Sequence, residues 1–162
     1  MADIKVFLSH KNDDSEIAGL IARRLKDTHQ IEVYLDVIDR NLGKTGPDMA
    51  DYIRAEMEKC TQLLAVISDR TRESQWVPWE IGVATEKERP LASFVNSTAA
   101  VPEFLQKWPY LRTMLDVDRY AAVSKATHSS LQESMHKTTA SIAKRTAFRD
   151  FHRALKAQLG QP

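Results

Sequence analysis

The chain has 162 residues, 43% apolar and 28% charged, a mix expected to fold as one domain, or one domain with an appended helix, around a real core. Five glycines and six prolines exclude collagen-like and low-complexity chains, and the single cysteine, Cys60, excludes an internal disulfide framework and fits a reducing compartment. The net charge of +1 hides an asymmetry: residues 1–118 hold 15 Lys and Arg against 20 Asp and Glu, and residues 119–162 hold 8 against 2. The basic segment could contact an acidic partner or nucleic acid, or more simply is a solvated helix face, and no interleaving of basic and aromatic residues points to nucleic acid. No apolar run approaches the roughly 18 residues of a membrane span, and the N-terminus lacks a secretory layout. A cytoplasmic protein without a membrane partner is expected.

In chain order, Ile4–Leu8 reads as a buried strand, and Asp13 with Glu16 as a capping box ahead of a helix carrying Ile17, Leu20, Ile21 and Leu25. Ile31–Asp36 reads as a second strand, followed by a loop with Gly43, Gly46 and Pro47. Asp48 is placed to cap a helix whose apolar face is Met49, Tyr52, Ile53 and Met57. Leu63–Ile67, the most apolar stretch, is the best central strand, and a helix is expected from Ser74 to about Glu88. Leu91–Val95 is a fourth strand, residues 102–111 a short helical turn, and Met114–Val123 holds the expected fifth strand. Beyond Ser124, Leu131, Met135, Ile142, Phe148, Phe151, Leu155 and Leu159 recur at helical steps up to Gly160, facing the domain or a partner. The expectation is a flavodoxin-like α/β fold: a five-stranded parallel sheet in the order 2-1-3-4-5, helices on both faces, and a C-terminal helical extension. The boundary between the α/β domain (1–123) and the extension (124–160) is set at that change of pattern.

Ligands of such sheets sit beyond the carboxyl ends of the strands. That rule selects Ser9–Asn12, Asp36–Pro47, Ser68–Glu80 and Asn96–Ala100. Three of these segments, in order, carry KVFLSHKNDD, VYLDVID with a Gly/Pro loop, and AVISDRTRESQWVPWEIGVA. The set resembles the TIR (Toll/interleukin receptor) domain family, closely over residues 3–95 and loosely over 96–123, and the Ser-x-Trp-x-x-x-Glu of the third segment is its most specific part. Many members of that family cleave NAD at the nicotinamide–ribose bond, and others are scaffolds that act by TIR–TIR assembly. By motif position the resemblance assigns the catalytic carboxylate to Glu80 and a site tryptophan to Trp76. Val77 stands where cysteine is common, a position that is not the catalytic group.

Nicotinamide in NAD+ is already a cationic leaving group, and its departure leaves an oxocarbenium-like ribose that a carboxylate stabilises. Glu80 near a helix N-terminus suits this, against the alternative that it stabilises its own first turn. Trp76 is placed to pack on nicotinamide or ribose, with Trp79 the better core candidate. Ser9, His10 and Lys11 offer phosphate or ribose contacts, against a solvated capping loop. Phe7 is an adenine platform or, more simply, core, and Asp36 takes a ribose hydroxyl or makes a turn. Arg40 and Lys44 touch phosphates or a neighbouring subunit, or are surface charge. NAD+ is substrate here, with no cofactor, and the spacing of His128 and His136 gives no metal site. The resemblance further implies a homo-oligomer joined through the loop from Asp36 to Asp48. It is similar to stand-alone bacterial TIR enzymes of antiphage systems such as Thoeris, whose diffusible product reaches a separate effector protein. Rival readings are a non-catalytic TIR scaffold, a phosphoacceptor receiver domain using Asp13, Asp14 and Asp69, and a nucleoside deoxyribosyltransferase-like enzyme.

Overall fold

β1 (Lys5–His10) forms from the first apolar run and pairs in parallel with β2 (Glu32–Val37) on one side and β3 (Gln62–Ile67) on the other. β4 (Leu91–Val95) follows β3, and a two-residue β5 (Tyr110–Leu111) closes the edge. The computed structural model, described over residues 3–37, 46–69, 76–96 and 100–162, therefore has a five-stranded sheet in the order β2-β1-β3-β4-β5. Every residue of β3 is buried, as its continuous apolar run requires of a central parallel strand.

Alternation along the strands sends successive side chains to opposite faces. Val6, Leu8, Leu64, Val66 and Phe94 meet α1 (Ser15–Arg23), α4 (Met114–Ser134) and α5 (Ala140–Leu159). Phe7, Leu63, Ile67, Leu91 and Val95 meet α2 (Gly46–Glu58) and α3 (Trp76–Glu86). The expected apolar face of α2 holds, with Met49, Ile53 and Met57 buried. Gly46, rather than a position next to Asp48, opens that helix, so Asp48 sits in its first turn.

Two local expectations are corrected. The fifth strand lies at Tyr110–Leu111, and the segment from Met114 onward is helix. Thr113 and Asp116 explain this: Thr113 Oγ1 accepts from the Asp116 amide at 3.2 Å, and the Asp116 carboxylate accepts from the Thr113 amide at 3.3 Å. Val117, Tyr120, Ala121 and Ser124 then bury one helical stripe, so α4 runs unbroken through the expected boundary at 123/124. The capping box at Asp13 and Glu16 does not form. Residues 12–14 make a 3-10 turn, and Asp14 precedes α1 with no side-chain cap bond. The C-terminal stripe divides between the domain and the surface. Phe151 and Leu155 are buried, but Met135 and Ile142 are 47% and 53% exposed.

The C-terminal helices are built into the domain. Thr139 caps α5 and Gly160, at φ 68°, ends it in the left-handed conformation that glycine adopts without strain. His152 Nε2 accepts the Leu91 amide at 3.1 Å, and the Gln161 side chain accepts from the Tyr110 amide and donates to its carbonyl, completing the sheet edge. On the opposite flank α1 passes into a π-helical turn (Arg24–Thr28). Arg24 grips Asp118 of α4 with two bonds of 2.8 and 2.7 Å, and His29 joins at 2.7 Å. These donors hold the Asp118 carboxyl well below the usual carboxylate range.

Candidate active site

α3 begins at the carboxyl end of β3 and packs across β1, β3 and β4. Its sheet-facing stripe is Val77, Glu80, Ile81 and Ala84, spaced by three, one and three residues, and all four are buried. Glu80 thus occupies a core position with no side-chain surface left to solvent. It is the fifth residue of the helix, just past the first turn. The helix-terminal field fades within the first turn, so a role in steadying its own helix end does not explain an acid there. Burying a carboxylate is costly, so an acid at a core position is unusual.

The sheet surface under α3 is polar in one row. The register aligns Asp36, Ser9, Ala65, Ser93 and Tyr110 across all five strands. Ser9 shares the face of Phe7, and Ser93 that of Leu91 and Val95, which is the α3 face. Both serines are fully buried, and neither hydroxyl finds a hydrogen-bond partner among the described residues. Two buried hydroxyls and a buried carboxylate thus belong to the α3 side of an otherwise apolar layer.

The other expected residues divide. Phe7 is core, 1% exposed, with its ring 5.2 Å from that of Tyr34, in keeping with the simpler of its two readings. His10 is buried on the opposite sheet face from Ser9, its Nδ1 donating to its own Leu8 carbonyl at 3.3 Å. Lys11 pairs with Asp13 at 3.4 Å at the tip of β1. Asp36 and Trp76 are placed by their backbones at the end of β2 and the start of α3, and their side chains lie outside the described part of the structure. Arg40 and Lys44 lie outside the described residues, as does most of the loop expected to join subunits. Trp79 is half-buried against the α2/α3 core, as expected of the second tryptophan. Ser93 was missed, although one serine in the middle of Leu91–Val95 is a legible signal. Also missed was the bond from Ser68 Oγ to Asp14 at 2.8 Å, which ties the end of β3 to the turn after β1. Asp14 is thereby committed to a structural contact, which disfavours its reading as a receiver-type acid. Among the described residues no group of three His, Cys, Asp or Glu side chains converges for a metal.

The family model described as TIR domain matches residues 6–137. The chain belongs to the TIR domain family. A relative in Bacillus cereus (strain MSX-D12), ThsB', a probable 3' cyclic ADP-D-ribose synthase, is 35% identical over 116 residues. That match covers 65% of this chain and 59% of the relative, so it spans less than two thirds of the relative's length. Among solved structures, a 2-deoxyribosyltransferase from Bacillus psychrosaccharolyticus superimposes with a TM-score of 0.55 at 13% identity, covering 70% of this chain and 89% of that one. At that identity the likeness is one of fold. No helix among the described residues is long and apolar enough to cross a membrane.

Proposed function

We propose that this TIR domain is an NAD+ nucleosidase of bacterial antiphage immunity, with Glu80 as its catalytic carboxylate. The observation that carries the reading is Glu80 buried at a core position of α3, the helix that packs on the sheet face carrying the buried Ser9 and Ser93. In the reaction the bond from ribose C1' to nicotinamide breaks, and its electron pair leaves with the ring nitrogen, which becomes neutral. The positive charge passes to the ribose, where an ionised Glu80 stabilises it. Water then adds to C1' and loses a proton, giving ADP-ribose. Alternatively a hydroxyl of the same ADP-ribose adds, giving a cyclic isomer. The description of ThsB' as a cyclic ADP-D-ribose synthase favours the cyclic product for this chain, acting as a diffusible signal to a separate effector. Ser9 is assigned to the bound ribose or phosphate, together with the Trp76 and Asp36 side chains and Lys11. Arg40 and Lys44, from the segment between β2 and α2, are assigned to phosphates or to a second copy of the chain. The active form is proposed to be a homo-oligomer in the cytoplasm.

The test is incubation of the purified chain with NAD+, with nicotinamide and the ribose product followed by liquid chromatography and mass spectrometry. Glu80→Gln keeps the shape and removes the anion. Turnover is expected to fall about a hundredfold or more, the scale of one lost electrostatic stabiliser, with NAD+ affinity little changed. Turnover unchanged in Glu80→Gln refutes the assignment. No nicotinamide from the unmutated chain, even when concentrated to assemble, refutes the activity and favours the scaffold reading.

A further inference from the structure

A cavity of about 730 Å³ opens at the amino-terminal ends of β3 and β4, the end of the sheet opposite Glu80. It lies between the last turns of α2 and α3 and the α4–α5 pair, and its volume is that of a small-molecule site. Leu131, Met135 and Phe151 supply an apolar wall. Cys60 adds to it, because burial pushes its thiol up to about 11 and keeps it neutral.

The charges around the mouth are unevenly matched. Lys87 stands 3.9 Å from Glu58, Lys59 3.0 Å from Glu56, and Arg145 3.7 Å from Glu88, so these acids are engaged. Arg89 and Lys144 also line the cavity, and neither makes an ion pair among the described residues. Arg89 is partly withdrawn from solvent, and that desolvation holds its guanidinium below the usual arginine value. Glu58 acts on this guanidinium through space without pairing with it, so its burial is incompletely compensated and a bound anion relieves the remaining cost. The backbone also bears strain here. Glu88, a non-glycine residue, takes φ 52° to end α3, and the next amide, that of Arg89, returns to the Ala84 carbonyl at 3.0 Å. Strain of this kind persists where the surrounding structure demands it, and here it brings Arg89 to the cavity wall.

We propose that this cavity is a second ligand site, for a small and largely apolar organic anion. The charged group of the ligand pairs with Arg89, with Lys144 at the mouth, and its apolar body lies against Leu131, Met135 and Phe151. The site is separate from the proposed NAD+ cleft and does not depend on that activity.

Anilinonaphthalene sulfonate has this chemistry, and N-phenylnaphthylamine is its uncharged counterpart. Fluorescence titration of the full chain is expected to show one saturable sulfonate site. Arg89→Gln is expected to weaken the sulfonate by about tenfold or more, the scale of a charge-assisted pair, and to leave the amine within about twofold, because the apolar contacts remain. Ala147→Phe, which fills the cavity wall, is expected to abolish both. If that variant does not fold, the comparison of sulfonate with amine in Arg89→Gln decides alone. Sulfonate binding unchanged in Arg89→Gln, or competitive displacement of the sulfonate by NAD+, overturns the proposal.

Discussion

His152 gives the fold a built-in sensitivity to acid. Its Nε2 accepts the Leu91 amide at 3.1 Å and so must keep its lone pair. Burial, and then the nearby Lys156 and Lys107 cations, lower its pKa from 6.5 to about 4. The unfolded chain therefore binds this proton more readily than the folded one. Stability from His152 is complete above about pH 6.5, falls as the pH drops towards about 4, and is level below that. At about 1.36 kcal/mol per pKa unit, the full loss is about 3 kcal/mol, of which about 2 kcal/mol is already gone at pH 5. Urea unfolding of the wild type and of His152→Gln, between about pH 7.5 and pH 4, measures the effect. Glutamine retains an acceptor for the Leu91 amide and does not titrate. The carboxylates contribute equally to both proteins, so the two curves of stability against pH are expected to converge by about 2–3 kcal/mol on acidification. Parallel curves, or a histidine pKa near 6.5 for this ring by NMR, would refute the reasoning.

Three further outcomes follow from the same packing. Ser93→Ala removes a buried hydroxyl without a partner among the described residues, so thermal stability is expected to hold or rise by up to about 1 kcal/mol, with turnover of NAD+ reduced; a clear loss of stability would show an unseen partner. Cys60, with its thiol near 11, is expected to react with a maleimide or dinitrobenzoate reagent much more slowly than free cysteine at pH 8, and its rate in folded protein is the check. A chain ended after Ser124 loses Phe151 and Leu155, both fully buried. Each deletion of such a side chain costs about 2–5 kcal/mol, so the fragment is expected to be insoluble or unfolded by circular dichroism, and a stable, active fragment would contradict the packing of α5.

The parts of this molecule legible in the sequence are those in which one residue pattern has one physical solution. Leu63–Ile67 is too apolar for any place but the middle of the sheet, and it sits between β1 and β4 with every residue buried. Gly160 after a long amphipathic run has the left-handed freedom a helix end needs, and it ends α5. Met114–Val123 failed because apolar content outweighed the cap: Thr113 and Asp116 are three residues apart, the spacing that starts a helix, and the strand lay just before them in two residues too few to show a period. Asp13 and Glu16 failed in the opposite way. Their spacing fits a cap, but the chain stays in a 3-10 turn through residue 14, where Asp14 answers Ser68, a partner 54 positions away that no local pattern reveals.

The same contrast separates Glu80 from the rest of the candidate site. Its position in the motif was readable, but the physical weight of the residue was not, because a glutamate early in a helix is commonplace. Only the packing of α3 across three strands shows the carboxylate on the buried stripe between Val77 and Ala84. The row on the sheet face under α3 depends on register, which couples Ser9 to Ala65 and Ala65 to Ser93 across 84 positions of chain. A serine in a strand reads equally well as a surface residue or a buried hydroxyl, and it is the parity shared with Phe7, Leu91 and Val95 that turns both towards α3. The chemistry proposed for this domain thus rests on alternation and register more than on motif. Inserting one residue in β4 ahead of Ser93 would turn that hydroxyl to the α1/α4 face while leaving the Ser-x-Trp-x-x-x-Glu motif intact. If register matters as argued, such a chain loses NAD+ turnover although every motif residue is present; turnover retained in a folded insertion variant would remove Ser93 from the site.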